Sequence, residues 1–269
     1  MKGKKTIVKT YKNKISLAKI AIIITTVIIF VSSVYCIFDL GQILFISDEK
    51  RILGQVYSML GVDWSSFLEE NSLYSIGYSI LLLPIYSILK NPTAAYKISI
   101  LINAFSISLI YLLSVMVFKK IFVKKNIFVL IFGCTLATLA PGFAFVKLLV
   151  VPDIVLLLVF IIQIAVLIFL YEKPNNIKLF GFGLLLCLGV LFRAEMLCVL
   201  LAGIIVMYIL MSKNKISRRN LFLTIIMISC IIILGYISET IILSKMNNSN
   251  ILTPSLENLY KVFAWGGVI

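Results

Sequence analysis

Histidine is absent from this chain of 269 residues, and that one absence removes imidazole bases, Ser/His/Asp triads, histidine-ligated zinc and imidazole proton relays. Asp, Glu, Lys, Arg and Tyr are left to do any chemistry. Acid is scarce too: 11 Asp and Glu stand against 25 Lys and Arg, a formal net charge of +14. The five cysteines (Cys36, Cys134, Cys187, Cys198, Cys230) lie in apolar stretches without metal-ligand spacing, so they read as small apolar side chains. No aromatic–basic interleaving accompanies the lysines, and the excess charge therefore does not signal nucleic acid. There is no convincing internal repeat and no low-complexity linker.

Apolar residues are what the chain has in plenty. They make up 61% of it, against roughly 45–50% in soluble domains. The runs are Ile20 to Phe38, Leu73 to Leu89, Ile98 to Phe118, Ile127 to Val146, Ile154 to Tyr171, Leu179 to Phe192, Met196 to Met211 and Leu221 to Leu243. Several approach the roughly 20 residues that cross a bilayer as a helix. The positive charge is concentrated beside these runs, in Lys2 to Lys19, Lys119 to Lys125 and Lys213 to Arg219, the pattern of cytoplasmic loops. The expected fold is all-α: a polytopic membrane helix bundle of about seven spanning helices plus one juxtamembrane or re-entrant segment. Residues 1–19 form a basic cytoplasmic N-terminus, 20–243 the membrane domain with an extracytoplasmic loop at 39–72, and 244–269 an extracytoplasmic tail. The first run does not read as a signal peptide, because it lacks a small-x-small cleavage site and Tyr35 precedes Cys36.

The run Leu73 to Leu89 is the segment expected not to span. A full crossing would put Lys119, Lys120, Lys124 and Lys125 outside, against the positive-inside rule. The run is short, contains Pro84 and carries Tyr74, Tyr78 and Tyr86, a texture suited to the membrane interface. With that choice, the acidic window and Asp153 share the outer face. Leu179 to Met211 then begins and ends inside, with Arg193 and Glu195 at an outer turn between two short helices.

Six of the acids (Asp39, Asp48, Glu49, Asp63, Glu69, Glu70) fall between positions 39 and 70. The adjacent pair Asp48-Glu49 is either a solvated loop or a working pair, one carboxylate taking a proton while the other orients its partner or holds a divalent cation. Asp153, after Pro152, is either a charge suited to a helix start or a third carboxylate on the same face. Lys147 and Arg193 either anchor their helices by snorkelling or supply positive charge for a lipid phosphate. Tyr74 and Tyr78, about one helical turn apart, either anchor at the interface or floor a sugar site.

Taken in order, these features resemble the membrane-embedded GT-C glycosyltransferases, the superfamily that includes protein O-mannosyltransferase-like and aminoarabinose transferase-like enzymes. Ser47-Asp48-Glu49 resembles the family's Asp-Glu motif, and Tyr74-Ser75-Ile76-Gly77-Tyr78 through Pro84 its aromatic juxtamembrane segment. Lys147 through Pro152-Asp153 resembles its basic-x-Pro-Asp step, and Gly189 through Arg193 its short-helix turn with a basic residue. The chain departs from the family in having Asn71-Ser72-Leu73-Tyr74 where many members have His-Pro-Pro or Tyr-Pro-Pro. Members are also commonly much longer, so that 269 residues fits a truncated or split one.

The resemblance implies an integral, multi-pass enzyme of a bacterial cell membrane. It would move a sugar from a polyprenyl-phosphate carrier to an extracytoplasmic acceptor that is lipid, glycan or protein. Asp48 is implied as base, with Glu49 and Asp153 in support, these three carboxylates holding Mg or Mn if a cation takes part. Arg193 and Lys147 are implied to bind the donor phosphate, and Tyr74 and Tyr78 the substrate. The implied partners are the bilayer, the lipid-linked sugar, the acceptor and, as a further candidate, a second membrane subunit. The alternative is a non-catalytic membrane protein, either a transporter or flippase of lipid-linked sugar or a scaffold. A carrier is expected to place ionisable residues at mid-membrane depth and to show inverted repeats, whereas here the acids sit toward helix ends.

Overall fold

The computed structural model describes residues 2–39, 47–62, 76–89, 91–140, 146, 148–213 and 215–246, with side chains from Leu17 to Phe38 and, within those ranges, from Glu49 to Ile241. Tyr74, Lys147, Asp63, Glu69, Glu70 and the tail with Pro254 and Trp265 therefore lie outside the described residues, as does the side chain of Asp48.

All regular elements among the described residues are helical. They are α1 (Lys2–Asp39), α2 (Ser47–Met59), α3 (Gly77–Ile88), α4 (Pro92–Ile121), α5 (Ile127–Thr138), α6 (Asp153–Glu172), α7 (Asn176–Phe192), α8 (Leu197–Ser212) and α9 (Arg218–Met246), with a 3-10 turn at Ala194–Met196 between α7 and α8. Local sequence sets several of these starts. The Asn91 side chain accepts from the Thr93 and Ala94 amides ahead of Pro92, and Asn126 and Asn175 open α5 and α7 in the same way.

Among the described residues, five segments are long and apolar enough to cross a membrane: Leu17–Phe38, Pro92–Ile121, Asp153–Glu172, Ala194–Ser212 and Arg218–Ile241. This makes the protein a helical membrane protein by length and composition, with five such helices where the sequence suggested about seven. The difference lies in α5 and α7. At about 1.5 Å of rise per residue, the 12 residues of α5 span about 18 Å and the 17 of α7 about 25 Å, short of a hydrocarbon core of about 30 Å. The run from Ile127 is interrupted because α5 stops at Thr138, two residues before Ala140-Pro141. α7 stops where Arg193 turns to extended backbone, φ −156° and ψ 128°.

The helices run between two ends of opposite character. α4 and α6 are parallel: Lys120 pairs with Glu172 where both helices finish. α7 turns back from that end, α8 returns to it, and α9 leaves it again, with Asn220 bonded to Asn176 at the two helix starts. α1 runs antiparallel to α4, since Ile37 packs in one cluster with Tyr96 and Ile100, while Ala18 and Ile29 join Ile107, Tyr111 and Val115 in another. α4 is the central helix, burying polar Ser99, Asn103, Ser106 and Ser108 along with its apolar side chains. Glycine permits close approach around α7: Gly183 faces Thr224 of α9, Gly203 of α8 faces Leu186, and Gly235 of α9 faces Leu191.

Lys119, Lys120, Lys124, Lys125, Lys173, Lys178, Lys213, Lys215, Arg218 and Arg219 gather at one end of this bundle with Glu172. Lys178 donates to the Lys173 and Phe169 carbonyls, and Lys215 to the Tyr171 carbonyl while lying 3.9 Å from that ring's centre. These two lysines close the C-terminus of α6, where helix carbonyls are unpaired and the dipole favours cations. Glu49, Asp153, Arg193, Glu195 and Glu239 gather at the other end, with Lys50, Arg51 and Lys97. α3 has both of its ends there: Gly77 meets Leu191 at the close of α7, and Leu89 leads within three residues to Pro92 at the opening of α4. It lies across the bundle end, with α2 packed on it.

Candidate functional site at the acidic end

Glu49 enters the interior through helical periodicity. Ser47 to Met59 is helical, so Glu49, Ile52, Leu53 and Val56 fall on one face at i, i+3, i+4 and i+7, and all four are buried. Glu49 is fully buried, at 0% exposure. Its Oε1 accepts from the Tyr96 hydroxyl at 2.8 Å and from the Val150 amide at 2.6 Å. A carboxylate is almost never buried this deeply unless paired, and these donors come from α4 and from the irregular segment that leads into α6. Beside it, Ser79 of α3 donates to Gln55 Oε1 at 2.6 Å and locks α3 to α2.

Asp153 and Arg193 meet. They come from the first residue of α6 and the residue that closes α7, and Arg193 Nη1 donates to Asp153 Oδ1. Arg193 Nε also lies 2.8 Å from Glu195 Oε2, so one guanidinium bridges two carboxylates. The chain allows this because Arg193 is extended: its amide still bonds the Gly189 carbonyl, its carbonyl starts the 3-10 turn, and its side chain is freed from the helix surface. The triad is accessible, with side-chain exposures of 28% for Arg193, 39% for Asp153 and 42% for Glu195. Asp153 also sits in the first turn of α6, where the helix dipole favours an anion.

Tyr78 packs edge-on to Phe192, ring centres 6.1 Å apart, beside the Arg193 turn. Its ring is fully buried, and its hydroxyl has no hydrogen-bond partner among the described residues. Burial first, then Tyr86 and the carboxylates of Asp153 and Glu49, push this phenol above its ordinary range. It therefore stays protonated. The close packing of Tyr78 depends on Gly77, where a Cβ would stand 2.3 Å from the Leu191 carbonyl oxygen.

Of the residues marked in the sequence, the structure joins Asp153 to Arg193, sets Tyr78 beside them, and ties Glu49 to the segment before Asp153. Asp48 precedes Glu49 in the first turn of α2. Glu49 and Asp153 do not by themselves form a cation site, since Oε1 of the first already takes two donors and the second faces a guanidinium. Among the described residues no group of three or more Cys, Asp or Glu side chains is placed to hold a metal ion.

Three participants were not singled out in the sequence. Tyr96 and Asn103 sit in α4 among apolar residues, Asn103 Nδ2 donating to the Leu149 carbonyl at 2.6 Å. Glu239, inside the last apolar run, accepts from the Ile76 amide at 3.3 Å. α3 has no capping side chain of its own, and Glu239 supplies one from α9. A lone acid inside an apolar run was the available signal for it.

Comparison of the chain with protein-family models, with curated proteins and with solved structures finds no match.

Proposed function

We propose that this protein is an inverting membrane glycosyltransferase of the GT-C kind, which moves a sugar from a polyprenyl-phosphate carrier to an extracytoplasmic acceptor. The observation that supports it is the accessible Arg193, bridged by Asp153 and Glu195 at the acidic end. A guanidinium has five N–H donors in a planar fork whose geometry matches phosphate oxygens, and that of Arg193 is partly exposed.

In this reading Asp48 takes the proton from the acceptor hydroxyl. The acceptor oxygen bonds to the anomeric carbon on the face opposite the bond to phosphate, which breaks and leaves its electron pair on the lipid phosphate. Arg193 and Lys147 hold the charge that develops there, and fixed positive charge in a poorly solvated site stabilises such a leaving group. Asp153 orients Arg193, Glu49 supports Asp153 from the interior, Tyr74 lines the sugar side, and the buried Tyr78 backs the Arg193 turn rather than meeting sugar. No step is routed through a cation. By the positive-inside rule the lysine-rich end is cytoplasmic and the acidic end faces out, with α3 lying along the membrane surface and α5 and α7 completing the seven passes.

The test is transfer from radiolabelled polyprenyl-phosphate hexoses to isolated cell envelope by the full-length protein in proteoliposomes. Asp48→Asn should lose roughly 10² to 10⁴ in rate, while Asp63→Asn stays near the parent. Equal rates for the two variants would reduce Asp48 to a solvated loop residue. A second reading, a non-catalytic scaffold or carrier, draws on the commitment of Glu49 to internal hydrogen bonds. A parent silent with every donor would favour it.

A further inference from the structure

Two bonds described above end on the same peptide unit. Glu49 Oε1 takes the N–H of Val150, and Asn103 Nδ2 donates to the C=O of Leu149. In a trans peptide the N–H and C=O point in opposite directions. Glu49 of α2 and Asn103 of α4 therefore grip one peptide plane from its two sides.

Each member of this grip is costly where it stands. Glu49 and Asn103 are both fully buried, and Asn103 lies more than three turns into a membrane-length helix. Its Oδ1 has no hydrogen-bond partner among the described residues, and an unpaired buried acceptor is destabilising. The gripped segment is costly as well. Residues 148–152 are not helical, yet Val150 and Val151 are core residues packed with Tyr78, Tyr96 and Ile100. Irregular backbone is tolerated at such depth only where the protein satisfies its polar groups. The segment runs directly into Pro152 and Asp153.

We infer that Glu49 and Asn103 form a single positioning unit, which holds the Leu149–Val150 peptide and thereby sets Asp153 against Arg193. Glu49 is then a positioning residue, distinct in role from its neighbour Asp48, and Asn103 is its counterpart. Tyr96 completes the unit by fixing the carboxylate through its hydroxyl. The inference takes the Asp153–Arg193 pair as the centre of the site, as in the proposed function. Its test reads the segment itself and needs no sugar transfer, so the two can fail separately.

The test is amide hydrogen exchange followed by mass spectrometry on the full-length protein in nanodiscs. Asn103→Leu and Glu49→Leu each remove one side of the grip. Each should speed exchange across 149–156 by about tenfold or more, the effect of losing a bond of about 1.4 kcal/mol. Exchange should also rise at 190–197, around Arg193, with residues 200–210 and 220–232 unchanged. Glu49→Gln keeps an acceptor oxygen and should restore most of the protection. Tyr96→Phe, a milder change that keeps the ring, should give an intermediate effect and serves if Glu49→Leu does not fold. A purely structural role would raise exchange throughout the bundle. That outcome, or an unchanged 149–156 in Asn103→Leu, or a faster 149–156 with no response at 190–197, would overturn the inference.

Discussion

Gly77 and Arg193 show how single atoms decide the acidic end. A methyl group on Gly77 would meet Leu191 backbone at 2.3 Å and 2.8 Å, and backbone cannot swing aside as a side chain can. Gly77→Ala should therefore cost about 1 to 3 kcal/mol as overpacking, lowering the thermal unfolding midpoint in detergent. Gly181→Ala in α7, with nothing within 4 Å of the added carbon, should be neutral or slightly stabilising through helix propensity. Arg193→Lys keeps the charge but cannot hold Asp153 and Glu195 with one planar fork. Donor-dependent transfer should fall about tenfold or more while membrane insertion is unchanged; equal activity would assign Arg193 to anchoring. Asp153 and Arg193 were each legible in the sequence, because both are charges placed where apolar runs break, but nothing in it joined the two. The inward turn of Glu49 was legible only in part. Asp48-Glu49 looks like an exposed acidic pair until Ile52, Leu53 and Val56 are counted with Glu49 as one helical face, and no local signal pairs it with Asn103, 54 positions away.

α3 is the element whose placement matters most, and it is held by others. With no cap of its own, it receives the Glu239 carboxylate at its first turn, and that bond also ties α9 to the site. Glu239→Leu should cost about 1 kcal/mol, the usual worth of a cap, read as a lower unfolding midpoint and faster proteolysis near residue 76. Glu239→Gln keeps an acceptor and should recover most of the loss. A leucine variant as stable as the parent would show that the contact contributes nothing. The sequence indicated that the run around Pro84 does not cross, and α3 does lie across the bundle end. The stop of α5 at Thr138 was not anticipated, because the apolar run continues past that point, although Pro141-Gly142 was the available signal. The α7–α8 turn was better marked, by Arg193 and Glu195 between two apolar stretches.

The whole bundle is a set of helices whose ends alternate between one basic and one acidic surface. Single-cysteine labelling, in a parent lacking the five native cysteines, tests the sidedness that the positive-inside rule assigns to those surfaces. Cysteines at 120 and 215 should react only from the cytoplasm, and cysteines at 153 and 195 only from outside. Reaction of 120 and 153 from the same side would break the two-ended arrangement. The overall plan was readable from charge clusters beside apolar runs, whereas the packing of α1 and α6 on α4 depends on side-chain fit that no periodicity discloses. Separation of charge along the bundle axis has an electrical consequence. Ten cations stand at one end against Glu172, while at the other Lys50, Arg51, Lys97 and Arg193 are balanced by Glu49, Asp153, Glu195 and Glu239, so that the excess positive charge is concentrated at one end. In a membrane held negative inside, such a molecule behaves as a dipole whose resting orientation the field itself favours. Abolishing the membrane potential during synthesis should therefore raise the fraction of chains inserted upside down, and neutralising Lys119, Lys120, Lys124 and Lys125 together should make that fraction less sensitive to the field.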